Sequence, residues 1–259
     1  MTVTDVIAIV GAGAWLPHVF KFIKDRMTRP EVRIVTQRTA EISYTTFGPI
    51  LNLRIAFTVR HRDVVISGIR IRLRHESGEE QILSWQGTSQ QLVQIQTPEQ
   101  IPLAFNKELS VLAIKLTTKD VEERLFRFQE DDFLMRKEEH ESKAAKKYSY
   151  LSQPGPCNLD DFLQSEEMKD VYSFMKHRFN WKQGRYTMAF EVESPEAFTL
   201  KDNQYEFSLN LLHVEPLEAN KSLIELAYED VFKAAVSGYQ PHKPKWNWVN
   251  PIIKKLPSS

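Results

Sequence analysis

The sequence predicts a mainly β protein with a helical insertion, an α+β chain whose body is an antiparallel two-sheet sandwich. Three observations lead there. Apolar and polar residues alternate with period two over many short segments, most clearly at 51–59. A charged, helix-like section separates an early set of such segments from a late one. An apolar stretch precedes them all and reads as a short N-terminal helix.

In the strongest strand, Leu51, Leu53, Ile55, Phe57 and Val59 alternate with Asn52, Arg54, Ala56, Thr58 and Arg60. Period two sends each set to its own face, one buried and one wet. After His61, Arg62 and Asp63 the pattern returns, with Ile69, Ile71 and Leu73 between Arg70, Arg72 and Arg74. Ile42 and Tyr44 form an earlier row, Leu83 and Trp85 end a later one, and 92–96 and 108–116 are weaker strands. Gly48-Pro49 and the run 76–79 mark turns. The late strands carry Tyr186, Met188, Phe190 and Val192, then Tyr205, Phe207, Leu209 and Leu211. One-sided alternation in both sets predicts two packed sheets that the late strands complete.

Between the sets, 120–150 is charged and reads as a solvated helix or a partly ordered excursion, with Phe126 and Phe133 as its apolar start. Asn158 is an N-cap for one amphipathic helix over 159–179. Ser222 and Glu225 form a capping box for a closing helix that stops at Gly238. The chain therefore divides into the apolar N-terminal helix (1–29), the first part of the sandwich (30–118), the helical insertion (119–182), the remaining strands with the closing helix (183–238), and a Trp- and Lys-rich tail (239–259). In strand spacing, 49–80 resembles immunoglobulin-like and arrestin-like sandwiches. The resemblance implies architecture alone, because no family motif accompanies it.

Lys and Arg number 34, and so do Asp and Glu. A balanced chain lacks the basic excess of a dedicated nucleic-acid binder, although it has room for a local basic patch. The lone Cys157 makes no internal disulfide and fits a reducing compartment.

The segment 6–20 carries no formal charge; Lys21 interrupts it and Phe22 and Ile23 extend it. With Lys21 snorkelling it reaches the short limit for a membrane span, about 17 residues. Lys24, Arg26 and Arg29 follow, which by the positive-inside rule leaves the rest of the chain in the cytosol. Val6, Ile7, Ile9, Val10, Trp15, Leu16 and Phe20 are the expected membrane-contacting residues, and Trp246 and Trp248, among lysines, add an interfacial pair. The competing readings are a helix packed in protein and, for the tail, tryptophans docked on the sandwich. A dinucleotide turn at Gly11-Ala12-Gly13 fails, because Leu16 stands where the third glycine belongs and no acidic residue closes the following strand.

If the strands flanking Arg62 pair as a hairpin, Arg54 falls opposite Arg70 and Asn52 opposite Arg72, with Arg74 further along. Facing like charges need compensation. Either Glu41, Glu80 or the acidic stretch 122–132 covers them, or Arg54, Arg70, Arg72 and Arg74 form a docking face for an acidic partner, anionic lipid headgroups or nucleic-acid phosphates. The seven histidines are scattered, and no Walker loop, nucleophile elbow or metal-ligand spacing occurs. The sequence thus names no catalytic residue, cofactor or metal. It predicts a non-enzymatic binding, sensing or scaffold subunit, anchored on the cytoplasmic side of the inner or plasma membrane and binding a protein partner. The alternatives are a soluble, cytoplasmic interaction module whose N-terminal helix packs on a partner, and an enzyme of unrecognised motif.

Overall fold

The alternating strands form, but they draw one sheet. A computed structural model of the chain describes residues 28–94, 103–109, 113–152, 158–234, 238–240 and 244–257, together with Trp15; for 89–94 and 103–109 it describes the backbone alone. The N-terminal helix and the membrane-contacting residues Val6, Ile7, Ile9, Val10, Leu16 and Phe20 lie outside these residues, as does Cys157. Trp15 is helical and exposed.

The strands, in chain order, are β1 (Glu31–Thr36), β2 (Glu41–Thr45), β3 (Gly48–Arg60), β4 (Val64–Ile66), β5 (Gly68–His75), β6 (Glu80–Gln94), β7 (Leu103–Leu109), β8 (Ile114–Leu116), β9 (Glu122–Glu130), β10 (Gly184–Glu193), β11 (Thr199–Lys201), β12 (Gln204–Leu209), β13 (Trp248–Val249) and β14 (Lys254–Lys255). Twelve of them share one sheet in the order β11-β1-β3-β9-β6-β5-β10-β12-β14, with β2 beside β3, β13 beside β2 and β7 beside β6. The sheet is mixed, because β11 runs parallel to β1. β4 and β8 form a separate ladder. Among the described residues the protein is mainly β, built on one curled mixed sheet, and the expected immunoglobulin-like or arrestin-like pair of sheets is not confirmed. Alternation specifies which side of each strand is dry. It does not say whether the dry sides belong to two sheets or to one that bends.

The two ends of this sheet meet. The Tyr205 hydroxyl on β12 donates to the Ile34 carbonyl on β1 at 2.8 Å. The tail then closes the gap. Trp248 pairs with Ser43 and Val249 with Ile42. Ala40 N–H donates to the Pro251 carbonyl and Ile253 N–H to the Arg38 carbonyl. Lys254 and Lys255 pair with Glu206 and Tyr205 on β12. Inside lie Ile34, Leu53, Ile55, Phe57, Ile71, Phe126, Phe128, Met188 and Phe190, all nearly inaccessible, and Val64, Ile66, Ile114 and Leu116 of the β4–β8 ladder join the same core.

The helices are α1 (Asp131–Leu151), α2 (Leu159–Leu163), α3 (Glu166–His177), α4 (Leu211–Ala219) and α5 (Ile224–Lys233), with a 3-10 turn at Asn220–Leu223. They cover the outer side of β2, which explains why its polar residues Ser43 and Thr45 are buried. The Tyr44 hydroxyl donates to the Met175 carbonyl of α3, and the Trp181 indole N–H donates to the Ser43 carbonyl at 3.1 Å.

Four local expectations are corrected. Residues 122–130 are a strand at the centre of the sheet: Phe126 and Phe128, two apart, are a period-two signal that the surrounding charges masked. The single helix over 159–179 is two helices, because the Ser165 side chain caps a new start at Met168 N–H. Ser222 caps nothing; it sits in the 3-10 turn with its hydroxyl on the Ala219 carbonyl. The capping box is at Asn210 and His213, which opens α4. Nor is α1 merely solvated, since Phe133 and Ala144 are buried along it.

Candidate functional site

On β5, Ile69, Ile71 and Leu73 face the core and Arg70, Arg72 and Arg74 face out, as alternation requires. Their neighbours are β6 and β10. The expected hairpin between β3 and β5 does not form: β9 takes the edge of β3, and β9 and β6 stand between Arg54 and Arg70. Acids from the true neighbours answer the arginines. Arg70 pairs with Glu193, Arg72 with Glu191 at 2.7 Å and Glu80 at 2.6 Å, and Arg54 with Glu123 at 3.4 Å. The hydrogen bonds that Arg72 donates to Glu191, first, and to Glu80 raise its pKa above the usual value. Arg74 lies in register between Glu80 and Thr187. The face is an exposed ladder of mixed charge.

A second group of cations gathers where the chain enters the sheet. The Pro30 carbonyl accepts from Thr199 N–H, and Glu31 lies between Arg60 and Thr199. Beyond Arg60 the chain turns through His61, whose φ is +76°. Asp63 then ties this turn to the next: its carboxylate accepts from Thr118 N–H at 3.0 Å and pairs with Lys115 at 3.3 Å. The Thr118 bond first, and then Lys115, hold the Asp63 pKa below its usual value. Glu31 is held low in the same way, chiefly by its bond from Arg33. Arg29, Arg60, Arg62 and Lys119 are exposed and make no ion pair with a described residue. Sequence reasoning missed this group because its members are far apart in the chain. Its one local trace is Arg60-His61-Arg62.

The tail tryptophans sit elsewhere. Trp246 packs against the core and Trp248 is half-exposed. Through Ser43, Trp248 is level with Ile50, ten residues from Arg60 along β3, or about 33 Å of strand. Leu211, Leu212 and Ile252 are exposed in the same region. A shallow groove of about 270 Å³ lies there, lined by Glu206, Ser208, His213, Ile252 and Lys254 above Phe207.

Three of the described histidines hold structure. His75 is buried: Nε2 donates to the Gln183 carbonyl at 3.1 Å and Nδ1 meets Ser77 Oγ at 2.8 Å. His140 stacks on Phe174, and His213 accepts from Asn210 N–H in its capping box. Burial raises the pKa of Glu130, although Arg178 opposes the shift. Among the described residues no group of three or more His, Cys, Asp and Glu could hold a metal, and no helix is long and apolar enough to cross a membrane.

Comparison with protein families, curated proteins and solved structures finds no match. The features available to carry a function are the two charged surfaces, the exposed apolar residues near the tail, and the segment that precedes β1.

Proposed function

We propose that the chain is a non-enzymatic scaffold or sensing subunit, held at a membrane by its N-terminal segment with the curled sheet on the cytoplasmic side. The observation that carries this reading is the junction at β1. An apolar stretch ending in Lys24, Arg26 and Arg29 leads directly into a strand hydrogen-bonded on both sides, to β3 and to β11. A membrane-held segment at this point would act on the sheet through β1.

Partner binding falls to the surface away from that junction, where Leu211, Leu212, Trp248 and Ile252 are exposed. Exposed apolar groups that cluster support a protein contact better than the neutralised arginine ladder does. The same observation favours the second reading, a soluble interaction module. Alkaline carbonate extraction of cells expressing the full chain separates the two. Retention in the membrane pellet supports the anchor; quantitative release rejects it.

A further inference from the structure

We propose that the end of the sheet bearing Arg29, Arg60, Arg62 and Lys119 docks on anionic lipid headgroups, so that the membrane fixes the orientation of the domain as well as its location. The inference rests on the membrane reading above and deepens it.

Its ground is the convergence of three separate chain segments on one end. Arg29 precedes β1, Arg60 and Arg62 flank the turn after β3, and Lys119 lies in the turn before β9. Asp63 locks the last two turns together through Thr118 N–H and Lys115. The resident acids there are engaged: Glu31 with Arg33 at 2.7 Å, Asp63 as described, and Glu122 with Arg124. Asp120 and Glu196 remain as exposed negative charges, and Asp120 accepts from Thr117. Cations left over after local pairing are the ones free to meet an external anion.

The chain itself selects the lipid. From Lys24 to Pro30 there are seven residues, which reach at most about 25 Å. An anchor ending at Ile23 would keep this end beside the headgroups, where a short tether makes even weak contacts effective. On the other charged surface, the ladder on β5, Arg70 and Arg72 are paired and Arg74 lies in register beside Glu80. Each cation near an anionic surface favours docking by about 5-fold, so neutralising three lowers the docked-to-undocked ratio by on the order of 100-fold.

The test uses the full chain with Thr118→Cys in a Cys157→Ser background, carrying a fluorescent donor and reconstituted into phosphatidylcholine vesicles with and without phosphatidylserine. Energy transfer to a headgroup acceptor is expected to rise with phosphatidylserine, to fall as salt is added, and to be lost in Arg60→Gln/Arg62→Gln/Lys119→Gln. Equal transfer in both vesicle types, or an unchanged triple variant, overturns the docking. Absence of the chain from phosphatidylcholine vesicles counts against the anchor alone, since salt-sensitive capture by phosphatidylserine then still supports the docking end. Binding of duplex DNA or RNA through these three residues, with no lipid response, assigns them to nucleic-acid phosphates and overturns the proposal. Salt titration of the unsubstituted chain keeps the test decisive should the triple variant misfold.

Discussion

The Tyr205 hydroxyl and the Ile34 carbonyl, 2.8 Å apart, join strands from opposite ends of the sheet. Burial pushes the Tyr205 pKa up to about 12, so the group stays a neutral donor throughout the physiological range. Tyr205→Phe should cost about 1 kcal/mol in denaturant unfolding, the net worth of one hydrogen bond. A neutral result would mean that the tail alone holds the ends together.

Asn220 is the corresponding pin for the tail. It is fully buried; its side chain accepts from Asn247 N–H at 2.8 Å and donates to the Asn247 carbonyl at 3.0 Å. Asn220→Ala leaves the Asn247 N–H unpaired, while the Asn247 carbonyl keeps its bond from Ser43 Oγ at 2.8 Å, and should cost about 2 kcal/mol. The loss should come with faster amide exchange at Val249, the residue paired with Ile42.

Gly184 and Gly78 both have positive φ, at +139° and +92°, but their surroundings differ. A Cβ at Gly184 would come within 2.4 Å of His75 Nε2, whereas none of the structure lies within 4 Å of one at Gly78. Gly78→Ala should therefore show backbone strain alone, about 1 kcal/mol, and Gly184→Ala about 3 kcal/mol or more, because it displaces His75. Chemical denaturation of the two variants side by side checks the difference.

Glu130 gives a pH dependence with a definite sign. Its folded pKa is raised from the usual 4.5, first by burial, and its side chain is only 14% exposed. A raised carboxylate contributes stability that is complete below its ordinary pKa and is lost as pH rises through the folded value. Glu130→Gln mimics the protonated form and leaves Arg178 its pair with Asp132. Its thermal midpoint should match the parent's in acid and exceed it at neutral pH. The opposite order would show that the Arg178 pair outweighs burial.

These contrasts show what the sequence made legible. The inward rows of β3, β5, β10 and β12 were readable, because period two at half-buried positions is a local signal. Strand β9 was not read, since Glu122, Glu123 and Glu130 surround its two phenylalanines with charge. The partner of β3 is a tertiary choice: Arg54 meets Glu123 on β9, 69 residues on, and no local pattern announces that pairing. The cation group at Arg29, Arg60 and Lys119 was invisible for the same reason. The ladder on β5 was visible as charge, while the acids that answer it come from β6 and β10.

A chain held at a membrane as proposed keeps its body in the cytosol. Labelling of the lone Cys157 with a membrane-impermeant maleimide tests this most directly, read in the membrane fraction of cells expressing the full chain. A membrane-held chain with a cytosolic body should show no labelling in intact cells and full labelling after permeabilisation, with the labelled chain in the membrane pellet. Labelling in intact cells, or a labelled chain recovered only in the supernatant, would contradict it.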